Sequence, residues 1–507
     1  MSKVEPLNRA FWILLICGIA LRCVALNHPL ADAHLFRQCQ TAAATKELMA
    51  HGGVPLSTSI PWAGDSGAQY VFEIPLYNFL VIGMYGLTHQ LDLSGKLTSI
   101  LLWVGSFFCL QCIWRRVVAN EHVFWANLLF VFAPLGVFFG QAFMPEMLIQ
   151  LVSFTFVLLT LRYDEHPSLQ RWAACASIGL MALALKLPAT SHLYLILGVL
   201  VWRREGWKAI FRLRYLIAAA VTAMAIKAWS GYMDSVNTDP FSYGSSLQNL
   251  RHFLGTVQDR FAGRTWIMVS LYLGIFVAPG ICTPLSMLGL WVHSQYRECV
   301  LLTLWIISLV VFYLLWTGNT AARQSYYNLP ALAPICALFA LGTTALLGRI
   351  KVEHLRNSAA IATVALVVVC ALPITAYLFR EDRQILDAAN WVKANVPAGE
   401  PIVFRPNHRR DMRVYALNPV MAYLSDHPTF VWTSETPESH RRAASVRAEY
   451  AVETIPPGLS NDFLNRIKQW RIGEESAPEQ WNPKEVWDCK EIAREKTFIA
   501  FQRIRGR

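Results

Sequence analysis

The sequence predicts a multi-pass α-helical membrane protein with a soluble α/β domain in its C-terminal part. Hydrophobic residues make up 54% of the 507 residues and charged residues only 16%, whereas a soluble protein usually carries about 25% charged residues. The mean hydropathy is +0.35. The apolar residues are gathered into long runs, and the composition changes after Arg380. Together these observations exclude an ordinary soluble protein.

Eleven apolar runs are candidate membrane-spanning helices, each of which needs roughly 20 residues to cross a bilayer. With ambiguous stretches included, we expect about 11–13 spans. A further run, 74–88, begins with Ile74-Pro75 and holds only 15 residues, so a helix at the membrane surface is the better interpretation. The eleven runs are 10–26, 97–114, 122–139, 146–161, 172–187, 189–202, 213–230, 266–292, 299–316, 328–348 and 357–379.

The basic residues indicate how these spans are oriented. If the N-terminus is cytoplasmic and 74–88 does not cross, the short cytoplasmic segments hold fifteen Lys and Arg residues. The much longer loops of the opposite face hold far fewer. This asymmetry is what the positive-inside rule describes. The long loops and the residues after Arg380 are therefore expected on the outer face.

The net charge of +11 does not require a nucleic-acid partner. Residues 380–507 carry 20 Lys and Arg against 18 Asp and Glu, so the surplus belongs to residues 1–379 and their basic loops. We predict a transmembrane domain over 1–379, with a first outer loop over 27–96, and a soluble domain over 380–507. Within the latter, Leu386–Val392 is typical of an amphipathic helix and 401–404 of a strand.

The first outer loop holds the densest group of polar residues. A helix ending near Met49 is predicted here, and Arg37, Gln40 and Thr41 share one of its faces. Asp32 can simply cap this helix. A carboxylate just outside the first span, followed by a guanidinium little more than one turn later, can instead act as a base beside an anion clamp.

Two further carboxylates are expected at the same face. Glu73 stands where the chain enters the membrane surface, and Glu146 follows Pro145 at the outer start of the fourth span. Each also has a simpler explanation. Glu73 can be a solvated interfacial carboxylate, and Glu146 can favour the positive end of a helix.

Basic and aromatic residues complete this set. Lys186 lies at the outer end of the fifth span, and Arg323 precedes Tyr326 and Tyr327 in a later outer loop. Snorkelling to the headgroups would explain Lys186 and also Arg22, at the end of the first run. An aromatic belt would explain the tyrosines. A phosphate held near the outer leaflet would use such cations.

In their order, these segments resemble the GT-C glycosyltransferases of the protein-mannosyltransferase and aminoarabinose-transferase type, which use polyprenyl-phosphate-linked sugars. The resemblance spans most of the chain. Two positions depart from it: Ile74 stands where such enzymes often have Lys, and Arg323-Gln324-Ser325 precede the tyrosines where many have His. The motifs that carry the resemblance are Asp32, the F-E-x-P-x-Y segment Phe72–Tyr77, Glu146, the K-x-P segment Lys186–Pro188, the segment Tyr326–Pro330, and a soluble outer domain.

The resemblance implies inverting transfer of a sugar from polyprenyl phosphate to an envelope glycan or glycolipid, such as lipid A or O-antigen, with a protein acceptor also left open. The reaction would take place at the periplasmic face of the bacterial inner membrane. Asp32 would be the general base, and Glu146 would orient the acceptor or hold Asp32 in place. No nucleotide is needed, and a divalent metal bound by Glu73 and His252 is left open. The implied substrate-binding residues are Arg37, Gln38, Gln40, Glu73, Tyr77, Lys186, Arg323, Tyr326 and Tyr327.

A polytopic lipid or sugar transporter, or a flippase, is the main alternative. Transporters place ionisable groups near the bilayer midplane and often contain repeats. In this sequence the notable charges gather at one predicted face and no repeat is evident. A receptor that senses an outer ligand would leave the polar loop residues without a role. The sequence therefore favours an enzyme.

Overall fold

The chain forms two compact units in the computed structural model. The first, here called the membrane unit, comprises Met1–Asn27, Glu73–Gly231 and Asn249–Phe379. The second, here called the sheet unit, comprises His28–Phe72, Tyr232–Gln248 and Arg380–Arg507. The structure describes residues 9–50, 58–60, 68–71, 73–237, 250–251, 253–295, 300–316, 324–405, 419–431, 448–454 and 489–503. The predicted domains, 1–379 and 380–507, stay a prediction.

Helices dominate the described residues. Most coincide with the apolar runs of the sequence, since a helix satisfies all its backbone hydrogen bonds internally in an apolar surrounding. In chain order they are α1 (Arg9–Cys23), α2 (Leu35–Ala50), α3 (Leu76–Thr88), α4 (Leu91–Val117), α5 (Asn120–Phe132), α6 (Pro134–Phe139), α7 (Glu146–Glu165), α8 (Leu169–Thr190), α9 (Leu193–Glu205), α10 (Leu213–Val236), α11 (Val257–Phe261), α12 (Gly263–Tyr272), α13 (Cys282–Gln295), α14 (Val300–Leu315), α15 (Leu332–Gly348), α16 (Glu353–Leu378), α17 (Arg383–Asn395) and α18 (Val420–Ser425).

Within the described ranges, six helical stretches are long and apolar enough to cross a membrane. A seventh is added if the bent pair formed by α12 and α13 counts as one span. Shorter apolar helices, among them α3 and α14, accompany them. The six are Leu91–Val117, Glu146–Glu165, Leu169–Thr190, Leu213–Val236, Ser325–Gly348 and Glu353–Asn395. The prediction of a multi-pass α-helical membrane protein is confirmed, and the number of spans stays a prediction.

Three of the predicted spans are broken rather than continuous. The run 122–139 divides into α5 and α6 before Pro134, and α8 is kinked at Lys186, two residues before Pro188. The run 266–292 bends by 107° between α12 and α13, where Gly280 has a φ of 56°. Proline lacks the backbone N–H that a helix needs, and a positive φ suits glycine. Hydropathy alone did not predict these breaks.

Arg22 does not snorkel, contrary to the expectation from the sequence. Its side chain is 0% exposed. The Nη1 atom donates to the carbonyl of Gly18 and Nη2 donates to that of Gly136, each at 2.9 Å. The guanidinium carbon lies 3.6 Å from the ring centroid of Trp103. Carbonyl oxygens and an indole face thus replace the water that the cation loses, which holds the end of α1 against its neighbours.

The sheet unit contains a mixed five-stranded sheet in the order β4-β3-β5-β7-β6. Its central strand β5 pairs in parallel with β3 and antiparallel with β7. The five-stranded sheet consists of β3 (Ile402–Arg405), β4 (Thr429–Val431), β5 (Tyr450–Thr454), β6 (Cys489–Arg494) and β7 (Phe498–Arg503). The other two strands among the described residues are β1 (Thr58–Ile60) and β2 (Ala68–Tyr70). The predicted α/β character of the C-terminal part is confirmed.

The predicted amphipathic helix and strand are both present, as α17 and β3. The side chain of Asp382 accepts a hydrogen bond from the backbone of Ile385 and so caps α17. The buried face of α17 packs on the sheet, and Trp391 lies 6.0 Å from Phe498 between ring centroids. This helix, which packs against β5 and β7, thus stabilises the short strands of the five-stranded sheet.

The protonation of Glu453, on the central strand β5, should make the stability of the protein depend on pH. Burial raises the pKa of Glu453 to about 7, although Arg405 and Arg494 lower it. In the unfolded chain a glutamate titrates near about 4.3, so the folded state holds this proton more tightly. We expect the unfolding temperature to fall as the pH rises from about 4.5 to about 7, and Glu453→Gln to reduce that fall.

Thermal unfolding of the full-length protein in detergent, followed across this pH range, measures the effect. Glu495→Gln is the matched control, because Glu495 lies exposed in the turn between β6 and β7. A pH-dependent fall of the same size in Glu453→Gln and in the unmodified protein would contradict the prediction.

Candidate active site

A buried lysine joins two of the predicted carboxylates in the membrane unit. The Nζ atom of Lys186 lies 2.6 Å from Oε1 of Glu146 and 4.0 Å from Oε1 of Glu73. The side chains of Lys186 and Glu146 are only 5% and 4% exposed, and that of Glu73 is 20% exposed. The ammonium group of Lys186 therefore finds its partners inside the protein rather than at the lipid headgroups.

Two tyrosine rings cover the same ammonium group. The Nζ atom of Lys186 lies 4.3 Å from the ring centroid of Tyr326 and 4.7 Å from that of Tyr327. The two rings are 4.6 Å apart and buried, and a desolvated cation is strongly attracted to such ring faces. Lys186, Glu73, Glu146, Tyr326 and Tyr327 are here called the lysine cluster.

The local sequence explains why Lys186 lies at a break in α8. Its backbone is non-helical, with φ of −162° and ψ of 87°, and Pro188 follows two residues later without a backbone donor. The Oγ1 atom of Thr190 donates toward the carbonyls of Ala182 and Lys186, at 3.0 Å each. The K-x-P segment thus opens the helix at Lys186, and Thr190 provides a donor for the carbonyls beside the break.

Tyr77 links the segments that carry the two carboxylates. Its buried hydroxyl lies 2.9 Å from the carbonyl of Gly95 and 2.9 Å from Oγ of Ser99. Ser99 in turn donates to the carbonyl of Ala142 at 2.7 Å, four residues before Glu146 in the chain. These contacts connect Tyr77, on α3, to α4 and to the segment that precedes α7. Its predicted contact with substrate stays a prediction.

A second group of predicted site residues lies in the sheet unit. The side-chain amide of Gln38 donates to Oδ1 of Asp32, and both side chains are buried. On the same helix, Nη1 of Arg37 donates to Oε1 of Gln40 at 2.5 Å. Helix α2 begins only at Leu35, three residues beyond Asp32. Asp32, Arg37, Gln38 and Gln40 are here called the aspartate cluster.

Three residues named in the sequence analysis lie outside the described residues. They are Phe72, His252 and Arg323. Across the part of the chain that the structure describes, no three His, Cys, Asp or Glu side chains come together as the ligands of a metal ion would. Because His252 is outside the described residues, binding of a metal through Glu73 and His252 stays open.

Sequence reasoning missed the residues that support the paired tyrosines. The hydroxyl of Tyr326 donates to Oε1 of Gln324, and that of Tyr313 donates to Oδ1 of Asn328 at 3.0 Å. The ring of Phe139 meets that of Tyr326 edge-on, 6.1 Å between centroids. Polar residues beside the tyrosine pair in an otherwise apolar segment were a usable signal for Gln324 and Asn328. Phe139, among many apolar residues of its run, had none.

The structure is similar to solved structures of membrane glycosyltransferases. The structure of ArnT from Cupriavidus metallidurans in the apo state aligns over 97% of this chain and 97% of its own, with a TM-score of 0.63 and 13% identity. The Archaeoglobus fulgidus oligosaccharyltransferase AglB, in complex with an inhibitory peptide and a dolichol-phosphate, covers 88% of this chain and 69% of its own, with a TM-score of 0.54 and 12% identity.

A third similar structure is the mycobacterial arabinofuranosyltransferase AftD. It covers 98% of this chain but only 42% of its own, with a TM-score of 0.51 and 12% identity. In comparisons of sequence, no protein-family model and no curated protein matches the chain. The fold is that of the GT-C glycosyltransferases, as the resemblance of the motifs implied, and this prediction is confirmed.

The burial of the lysine cluster predicts a large effect of removing its cation. Lys186→Met should lower the free energy of unfolding by about 3–5 kcal/mol, because Glu146 is then left as a buried charge. Lys186→Met combined with Glu146→Gln should cost less than the two changes added together, since they remove the same pair. Unfolding of the full-length variants in mixed detergent micelles measures these energies.

Arg116→Gln is the matched control. Arg116 pairs with Glu165 at 2.8 Å, and the two side chains are 34% and 44% exposed. A pair in contact with solvent should be worth only about 0–1 kcal/mol. Equal losses in Lys186→Met and Arg116→Gln, or strict additivity of the double variant, would show that the buried pair has no special weight.

Proposed function

We propose that this protein is an integral membrane glycosyltransferase that moves a sugar from a polyprenyl-phosphate donor to an envelope glycan or glycolipid, such as lipid A or O-antigen. One observation carries the proposal: the fold matches that of ArnT over 97% of both chains. The buried lysine cluster supports it, because its members are the residues that the family motifs singled out.

A lipid-linked phosphate is the donor that the similar structures favour. One of the AglB structures contains a dolichol-phosphate, and ArnT and AftD share the fold. A polyprenyl chain would be soluble among the apolar helices of the membrane unit, and its phosphate would lie near the lipid headgroups. Such a donor also removes the need for a nucleotide.

The proposed reaction is an inverting displacement. The hydroxyl oxygen of the acceptor attacks the anomeric carbon of the sugar from the face opposite the phosphate. A new bond forms between that oxygen and the carbon, while the bond between the anomeric carbon and the phosphate oxygen breaks. Polyprenyl phosphate leaves with the electron pair, and the acceptor proton passes to a general base.

Asp32 is the proposed general base. Its carboxylate is held by the side-chain amide of Gln38, a neutral donor that orients one oxygen without cancelling the negative charge. The side chain is 5% exposed, which limits competition by water for that carboxylate. Arg37, one turn along the same segment, is proposed to stabilise the leaving phosphate together with Arg323.

The lysine cluster refines the function first proposed for Lys186. Its ammonium group already pairs with Glu146 at 2.6 Å, so contact with a donor phosphate would have to displace that pair. We therefore assign to Lys186 the positioning of Glu146 and Glu73, and to Glu146 the orientation of the acceptor. Tyr326 and Tyr327 close the other side of the cation.

The proposed location is the bacterial inner membrane, with the reaction at its periplasmic face. The basic residues of the short loops support this orientation through the positive-inside rule. A flippase or transporter remains the alternative class. Sugar transfer by the purified protein, scored beside lipid flipping in liposomes, separates the two, since only an enzyme yields a glycosylated acceptor.

Asp32→Asn tests the proposed mechanism. Loss of a general base typically costs about 10²–10⁴-fold in rate, and the amide keeps the size of the carboxylate. We expect turnover to fall by that factor while the variant inserts and purifies normally. The measurement is transfer from a polyprenyl-phosphate sugar to envelope glycolipid, with envelope glycans of a complemented deletion strain analysed by mass spectrometry.

Asp426→Asn is the matched control. Asp426 is an exposed aspartate of the same unit, paired with Lys46. It should keep nearly full turnover, because only an exposed ion pair is lost. Undiminished transfer by Asp32→Asn would remove Asp32 from the reaction, and an unchanged glycan profile in the deletion strain would count against the enzyme itself.

A further inference from the structure

A cavity of about 370 Å³ lies in the membrane unit, apart from the lysine cluster. The end of α4, the end of α7 and the start of α8 form its walls, and it is open to the surface. Three arginines line it, one from each helix: Arg116, Arg162 and Arg171. Glu165 is the one acidic residue among its lining residues. None of these residues enters the proposed reaction.

The arginines differ in how far the protein already satisfies them. Arg116 pairs with Glu165 at 2.8 Å and donates to the carbonyl of Cys112 at 2.8 Å. Arg171 donates to the carbonyls of His166 at 2.7 Å and Arg162 at 3.3 Å. Among the residues that the structure describes, no hydrogen bond or ion pair is found for the side chain of Arg162. The cavity therefore presents a guanidinium group without a protein partner beside two others.

The charge of the cavity calls for an anion. Three exposed guanidinium groups line the cavity with a single carboxylate, so the cavity carries a net positive charge that attracts an anion. Guanidinium groups bind phosphate through paired hydrogen bonds, which makes a phosphate ester the matching ligand.

The walls of the cavity indicate that this anion is attached to a lipid. Leu159 and Ala174 are the apolar residues that line the cavity. Leu169, at the start of α8, is 70% exposed. The three helices are among the stretches apolar enough to cross a membrane, and the cavity lies where they end in charged residues. This is the depth at which phospholipid headgroups meet their acyl chains. A free phosphate ion has no apolar part that could contact Leu159 and Ala174.

We propose that this cavity binds the headgroup of an anionic phospholipid in the leaflet that faces the basic short loops. The phosphodiester lies between Arg162 and Arg171, with Arg116 on the other side, and the acyl chains run along Leu159 and Ala174. None of the residues assigned to the donor lines this cavity.

Native mass spectrometry of the full-length protein in detergent, titrated with dioleoyl phosphatidylglycerol or dioleoyl phosphatidylcholine, tests the proposal. We expect one tightly retained phosphatidylglycerol and weaker retention of phosphatidylcholine. Arg162→Gln should weaken binding of phosphatidylglycerol about fivefold, the worth of one basic residue at an anionic surface. Gln170→Glu, which adds a carboxylate at the exposed rim of the cavity, should weaken it by a similar factor without removing any observed contact.

Arg356→Gln is the control, because Arg356 is an exposed arginine at the start of α16 and does not line the cavity. Retained binding in both Arg162→Gln and Gln170→Glu would overturn the proposal, as would equal retention of phosphatidylcholine or an equal loss in Arg356→Gln. Displacement of phosphatidylglycerol by millimolar inorganic phosphate would reassign the cavity to a free anion and overturn the lipid assignment. If Arg162→Gln does not purify as a folded protein, Gln170→Glu decides.

Discussion

The organisation of the membrane unit depends on the cost of removing the Lys186 ammonium group from water. An isolated buried cation costs several kcal/mol, and only a close carboxylate with further polar contacts offsets that cost. Here Glu146 lies at 2.6 Å, Glu73 at 4.0 Å, and two tyrosine faces cover the rest. The partners come from separate segments, so the complete lysine cluster forms only when Glu73, α7, α8 and the Tyr326–Tyr327 segment are all in place. The start of α7 at Glu146 and the kink of α8 at Lys186 supply the local geometry for these contacts.

The same physical principle operates at Arg22, whose contacts among the described residues include no carboxylate. Backbone carbonyls of Gly18 and Gly136 and the face of Trp103 receive the guanidinium group. Gly140 packs so closely that a Cβ atom there would overlap Arg22. Lys96 likewise donates to the carbonyls of Ala25 and Leu26 just beyond α1. Buried cations that bind the carbonyls at helix ends therefore join apolar helices that hydrophobic burial alone would leave free to slide in a lipid environment.

The two polar clusters suit different parts of the proposed chemistry. Glu146 is paired with the ammonium group of Lys186, which suits a carboxylate that holds its neighbours in place. Asp32 accepts a hydrogen bond from the side-chain amide of Gln38, which orients the carboxylate proposed as the proton acceptor. In the arginine-lined cavity formed by α4, α7 and α8, the proposed partner of the cations is a lipid headgroup outside the protein. Each use follows from what surrounds the charge rather than from the residue type.

The sequence by itself determined the membrane class, the α/β character of the C-terminal part and the motifs of the GT-C fold, because these depend on composition and on the order of local patterns. It also identified Glu73, Glu146, Lys186 and the paired tyrosines as candidates. Only the tertiary structure decided that Lys186 and Arg22 turn inward, that Tyr77 contacts Gly95 and Ser99, and that Gln38 donates to Asp32. Whether a long cationic side chain snorkels or is buried depends on which acceptors lie within reach, and those acceptors are distant in sequence. Hydropathy records the apolar run but not its partners.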